Sequence, residues 1–390
     1  MSNINLIDWL ADKLVTKRWE DAENLVNFFT ITKWKDFKDY NLTLSRLNEL
    51  PDEFAKLIRK LLVAFNLYLE GKYDKAFTEH SEAIKVLTGE VSNNNKTNWF
   101  LPIVYALADN QKHLASKIGL NDYDSRRHEA YLNCSGVIRS ILTMCSGDSK
   151  TRKDISKRVG LVNILNHCMR LGFLTSNFTG LSPVINLIEN DEELQGFASK
   201  KDLVMYNYYL GKHSLFEDEL ERAEKCLTFA LYNNHPDYVE NRKKILVYLI
   251  TVKLLLDKAP PTKLLEESGL QAFIPVIQAV VDGNLSDLDK ALEKHESFFI
   301  QYGILLLLEK LKQTTFLILF KKMYYDVFNC QHLIPIKAYY LALVAQNYTE
   351  YDEMSVEALL AVMISEKKIR GYLSHSHRKI VLSKQNPFGS

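Results

Sequence analysis

Glycine and proline are scarce, 15 and 9 in 390 residues, where average usage would supply about 27 and about 20. Turn-dense sandwiches and barrels and glycine-rich nucleotide loops therefore start from a deficit, and helices are favoured. Disulfide frameworks are missing too. The cysteines, Cys134, Cys145, Cys168, Cys226 and Cys330, never stand closer than eleven residues, which fits neither a disulfide frame nor a Cys-x-x-Cys metal knuckle. They read as reduced, mostly buried thiols. Neither sign of charge dominates: 49 Lys+Arg face 48 Asp+Glu for a net +1, so a polyanion-binding surface has to arise from local clustering. Apolar runs are short, Ile304 to Leu308 and Phe316 to Phe320 being typical, far below the roughly 18 residues that span a bilayer. Met1-Ser2-Asn3-Ile4-Asn5, with Asp8 and Asp12 close behind, offers neither the basic stretch nor the apolar core of a secretory signal. A cytosolic or nuclear protein with no membrane span is expected.

What is present is helical period. Leu6, Trp9, Leu10 and Leu14 open the chain as an amphipathic helix, and Phe54, Leu57, Ile58, Leu61, Leu62 and Phe65 repeat the three-four spacing. No strand alternation occurs in the first 300 residues. Two windows resemble each other: Leu69-x-Gly71 followed by Ala83 and Leu87, and Leu210-Gly211 followed by Ala223, Leu227 and Ala230. In a tetratricopeptide unit a glycine admits close helix approach and an alanine twelve residues on sits at the crossing. Both windows are expected to be helical hairpins in a right-handed stack. Loops are expected at Gly89 to Thr97, Gly147 to Lys153, Glu189 to Lys201 and Ala259-Pro260-Pro261, none long enough to be a flexible linker.

After about residue 310 the pattern changes. Phe316, Leu319, Phe320 and Met323 mark one helix, with Lys321 and Lys322 on its other side. Pro335 opens a second, carrying Ile336, Tyr339, Tyr340, Leu343 and Val344. Ser355 caps a third, carrying Val356, Leu359, Leu360 and Met363, with Gly371 just past its end. From Ile369 to Ser383 the period shifts toward two around a turn at Ser374-His375-Ser376, which predicts a β-hairpin. Three helices and a hairpin make a winged helix, whose third helix and wing are the usual nucleic-acid face.

Catalytic patterns are poorly represented. Gly211-Lys212-His213-Ser214 lacks the first glycine and the strand of a phosphate loop. His128-Glu129 and His295-Glu296 lack the second histidine of a zinc helix. His375 and His377 form a pair without a third ligand, so no metal, cofactor or enzymatic activity is expected. The one asymmetric charge feature is C-terminal: Lys367, Lys368, Arg370, Arg378, Lys379 and Lys384 stand against the single acid Glu366, with His375 and His377 interleaved. Such a patch can reach several phosphates at once, with the Tyr372 ring available for stacking. The same bases would also complement a helix dipole and keep an edge hairpin soluble. Lys367, Lys368, Arg370, His377, Arg378, Lys379 and Lys384 are the candidate nucleic-acid contacts.

Several strings resemble the PCI family, and within it the PCI subunit of the TREX-type nuclear mRNA export complex, the second complex of that name. They are Tyr208-Tyr209-Leu210-Gly211-Lys212, Ile245-Leu246-Val247-Tyr248-Leu249, Gly283-Asn284-Leu285 and Lys294-His295-Glu296-Ser297-Phe298-Phe299-Ile300. Leu308-Glu309-Lys310-Leu311-Lys312, Leu319-Phe320-Lys321-Lys322, Gly371-Tyr372-Leu373-Ser374-His375 and Ser383-Lys384-Gln385-Asn386-Pro387-Phe388 continue the series. Asn98-Trp99-x-Leu101-Pro102 extends it more thinly into the first half. A signalosome-associated relative shares much of this pattern. The resemblance implies an all-α, right-handed TPR-like solenoid with a small β-hairpin, capped by a C-terminal winged helix. N-terminal repeats would occupy 1–200, the helical part of the PCI domain 201–310, and the winged helix and tail 311–390. It further implies a nuclear hetero-oligomeric scaffold at the pore or envelope, also present in the cytoplasm. Its partners would be a GANP/Sac-family helical protein, a small acidic Sem/DSS-type peptide, and RNA or DNA held by the basic wing.

Overall fold

The computed structural model describes residues 6–37, 46–119, 124–149 and 151–388. Met1 to Asn5 and the closing Gly389-Ser390 lie outside them. Two compact units divide the chain at Leu210/Gly211. Helices dominate both, and among the described residues β-structure is confined to three short strands after residue 332.

In the first unit the expected helices form. Leu10 and Leu14 are fully buried on the Leu6–Thr16 helix, and Phe54, Leu57, Ile58, Leu61 and Phe65 are buried on the Asp52–Leu69 helix. That helix pairs with Tyr73–Val86 as a hairpin. Gly71 does not admit close approach as the repeat pattern predicts. It sits in the turn at φ +76 with open space around it, the left-handed conformation that a side chain would strain. The loop expected from Gly89 is largely helical, because a π turn at Leu87–Val91 carries the chain into Ser92–Asn94. A short helix, Glu192–Phe197, likewise interrupts the expected Glu189 to Lys201 loop. Asn110, buried among these helices, donates to Phe29 O at 2.7 Å and accepts from Ile31 N at 3.0 Å.

In the second unit, the Gly211 window behaves as the pattern requires. A Cβ at Gly211 would stand 2.7 Å from Leu227 Cγ and 3.1 Å from Cys226 Cβ, so glycine is what lets the segments on either side of 217–219 pack. Ala223, Leu227 and Ala230 fill that contact, all fully buried. Further on, Gly283 at φ +68 lies against the backbone of Leu319, and the Gln346 amide bridges Gly283 O at 2.9 Å and Leu285 N at 3.0 Å. These contacts seat the C-terminal lobe on the helices before it.

That lobe is winged-helix-like, built on the Leu311–Lys322, Ile336–Ala345 and Glu353–Ser365 helices. Three details differ from the sequence reading. Pro335 does not lie in the first helical turn. It closes a strand, β1 (Leu333–Pro335), and caps the following helix in extended conformation; lacking an N–H, it suits an edge strand. Asp352, not Ser355, is the N-cap of the third helix, its carboxylate accepting from Ser355 N at 2.7 Å and Ser355 Oγ at 2.6 Å. The hairpin is part of a three-stranded antiparallel sheet of order β1-β3-β2, with β2 at Gly371–Ser374 and β3 at Lys379–Leu382. Gly371 belongs to β2, and a Cβ there would meet the Val381 carbonyl oxygen.

The register alternates cleanly. Leu373 pairs with Ile380, Gly371 with Leu382, and Ile334 with Ile380. Ile334, Ile380 and Leu382 are buried with Phe316, Phe320, Tyr339, Leu343, Val356, Leu360 and Met363 in one core; each such side chain contributes about 1.5–3 kcal/mol on burial. The opposite face carries Tyr372, Val381 and Leu333 in one cross-strand row, with Tyr372 and Leu333 exposed. The tail returns to the lobe: Phe388 joins its core, with its ring 5.6 Å from that of Tyr324.

Candidate nucleic-acid interface

The third helix of the lobe ends in a Schellman motif, with Lys367 N bonded to Ile364 O at 3.0 Å and Lys368 N to Met363 O at 2.9 Å. Lys367 therefore occupies the left-handed position at φ +63, where glycine is usual, and its side chain is exposed. The next cation is held. Lys368 Nζ lies 2.9 Å from both Glu366 and Gln313 Oε1, and Gln313 donates back to Glu366 at 2.9 Å. Arg370 leads into β2, its backbone anchored by Pro387 O at 2.7 Å and Ser383 N at 2.8 Å, while its side chain is exposed.

The turn of the wing runs from His375 to Arg378. Two of its bases face carboxylates of the third helix. Arg378, at φ +47, lies 3.6 Å from Glu353, and His375 Nδ1 lies 2.7 Å from Glu357 Oε1. His377 Nδ1 is 3.0 Å from both the Ser374 and Ser376 hydroxyls. Lys379 opens β3 on the outer face, paired across from Ser374 and on the same face as the exposed Tyr372 ring. Lys384 is exposed on the tail. Apart from His377, which lies beside the two serine hydroxyls, the candidate residues separate into two groups. Lys368 and Arg378 are engaged by the protein's own acids, whereas Lys367, Arg370, Lys379 and Lys384 are exposed without an acidic partner among the described residues.

The third helix has no cation of its own. Its sequence Glu353-Met354-Ser355-Val356-Glu357-Ala358-Leu359-Leu360-Ala361-Val362-Met363-Ile364-Ser365 exposes Met354, Ala358, Ala361 and Val362. The commonest specific base contacts in the major groove come from Arg, Lys, Asn or Gln on such a helix, and this one carries none of these four residue types. The exposed cations lie instead at the C-terminus of this helix, on the wing and on the tail. The signal that sequence reasoning passed over was Glu353 and Glu357 on one face, four residues apart. Among the described residues no group of three or more His, Cys, Asp or Glu is placed to hold a metal ion, and no helix is long and apolar enough to cross a membrane.

No family model matches the chain. The PCI domain-containing protein 2 homolog of Caenorhabditis elegans is 36% identical over 347 residues, covering 87% of this chain and 83% of that one. The chain belongs to the PCI domain-containing protein 2 family. The family member of Danio rerio is 34% identical over 305 residues, 76% of this chain and 74% of its own. The Protein CSN12 homolog of Schizosaccharomyces pombe is 26% identical over 345 residues, 83% of this chain and 80% of that protein. Membership and architecture together fit a PCI scaffold subunit of a multiprotein complex, with helical units carrying a winged-helix-like lobe.

Proposed function

We propose that this PCI protein is the winged-helix scaffold subunit of a TREX-type nuclear mRNA export complex. In that role it docks on a GANP/Sac-family helical protein, holds a small acidic Sem/DSS-type peptide, and contacts RNA or DNA through Lys367, Arg370, Lys379 and Lys384. The observation that carries the nucleic-acid part is the set of four exposed cations without acidic partners around the wing, with the Tyr372 ring 63% exposed on the same sheet face as Lys379. Binding of this kind is insensitive to sequence, because phosphates supply the attraction and any base can stack.

A second reading, a protein–protein module in a signalosome-like assembly, draws on a different feature: Glu353 and Glu357 engage Arg378 and His375, and the exposed face of the third helix is uncharged. Co-expression separates the two. Co-elution with the export scaffold and the acidic peptide, as a complex that binds RNA, is the outcome expected here. Recovery with signalosome subunits in a complex that does not retain RNA would overturn the export reading.

A further inference from the structure

A second surface outside the wing combines rings and cations. The Leu220–Asn233 helix and the Val239–Leu255 helix are joined by residues 234–238. On the first, Lys225, Phe229 and Tyr232 follow at four- and three-residue spacing and so share one face. Phe229 is 40% exposed and Tyr232 82%. The link adds Tyr238, 60% exposed, its ring centroid 5.7 Å from that of His235. Its shape is fixed from within: Asn234 Nδ2 donates to His235 O at 3.0 Å and to Tyr238 O at 3.3 Å. The second helix then presents three consecutive bases, Arg242, Lys243 and Lys244, of which Arg242 and Lys244 are exposed. None of these three, nor Lys225, has an acidic partner among the described residues. The nearby acids are Glu221, one turn before Lys225, Asp237, 3.5 Å from His235, and Glu240, while Glu224 is held by Lys253 and Lys258, so Lys225, Arg242, Lys243 and Lys244 outnumber the first three acids by one.

Apolar surface grouped together and rimmed by polar residues marks an interaction site. Protein interfaces are depleted in lysine, and here Lys225 stands one turn before Phe229 and Arg242 one turn after Tyr238, with Lys243 and Lys244 following. Rings interleaved with cations match a single-stranded nucleic acid, whose bases stack while its phosphates meet the cationic side chains. We propose that the tip of this helix pair is a second single-stranded RNA platform, with Tyr232 and Tyr238 as stacking rings and Lys225, Arg242 and Lys244 as phosphate contacts. It shares no residue with the wing and stands independently of the reading above.

The test is fluorescence anisotropy of a 20-nucleotide oligouridylate with the full chain in its assembled complex. Tyr232→Ala with Tyr238→Ala should weaken binding by about tenfold or more while leaving the slope of log K against log salt in place, since a ring carries no charge. Tyr232→Phe with Tyr238→Phe should retain affinity. Arg242→Ala with Lys244→Ala should lower the slope by about 1.4, at roughly 0.7 per phosphate. These positions are exposed, so circular dichroism should show folded variants. Unchanged affinity and slope in folded variants overturns the proposal, as does loss of a co-purifying protein with RNA binding intact. Repeating the series on a background with Lys367, Arg370, Lys379 and Lys384 reversed separates the sites: loss from the tip variants alone leaves this platform standing and removes the wing, and loss from the wing alone does the converse.

Discussion

The separation of the wing cations into engaged and unengaged groups makes a quantitative prediction that composition alone does not. Each phosphate neutralised on a single strand contributes about −0.7 to the slope of log K against log salt. Lys367, Arg370, Lys379 and Lys384 together therefore account for about −2.8, which between 50 and 200 mM salt is roughly a fiftyfold loss of affinity. Alanine at any one of the four should reduce the slope by about 0.7. Lys368 and Arg378 should behave differently. Lys368 is held by Glu366 and Gln313, each at 2.9 Å, and Arg378 faces Glu353 at 3.6 Å. Exposed pairs are worth at most about 1 kcal/mol, so a phosphate can compete for them, but a phosphate docked on either base is left with a carboxylate beside it. Lys368→Ala and Arg378→Ala should each change the slope by less than half the value for Lys379→Ala. The assay is a salt series of anisotropy titrations on the assembled complex. Equal slope changes for all six variants would refute the claim that internal pairing decides which bases reach RNA.

Further outcomes concern the fold. His80 is fully buried with Nδ1 2.6 Å from Gln111 Oε1, and burial lowers its pKa from 6.5 to about 4. The unfolded chain therefore takes up this proton first, and the stability associated with neutral His80 is present above pH 6.5 and lost as pH falls toward 4. About 2 kcal/mol should disappear between pH 7.5 and 5; urea denaturation of wild type and His80→Gln should give curves that diverge with pH, and parallel curves would count against it. Gly211→Ala places a methyl 2.7 Å from Leu227 Cγ and should cost about 1–3 kcal/mol. Gly136→Ala, on an exposed helical position with open space around it, should add about 0.5–1 kcal/mol; chemical denaturation distinguishes the signs. Asp352→Ala should lower the melting temperature more than Ser355→Ala, because the carboxylate provides the cap.

Much of the architecture was legible because helical period and turn chemistry act locally. The buried stripe of the Asp52–Leu69 helix and the alternation of Ile380 with Leu382 both follow from side-chain spacing. What escaped depended on partners distant in sequence. β1 is three residues long, too short for a period of its own, and exists because it pairs with β3 some 46 positions later. Gly71 and Gly211 look alike in sequence, yet one satisfies a left-handed turn and the other a helix contact. Asp352 outcompeted Ser355 as a cap because its carboxylate accepts two hydrogen bonds there. The basic character of the C-terminus could be read from composition, but not which bases were occupied: Glu353 and Glu357 lie at least 18 positions before the bases they meet.

Photocrosslinking tests the wing most directly. The reconstituted complex, bound to 4-thiouridine-substituted RNA, irradiated and digested, should yield a nucleotide adduct on the peptide that contains Tyr372 and Lys379, and the adduct should fade as salt rises. A complex that binds the same RNA while that peptide stays free of adduct at every salt concentration would contradict the account.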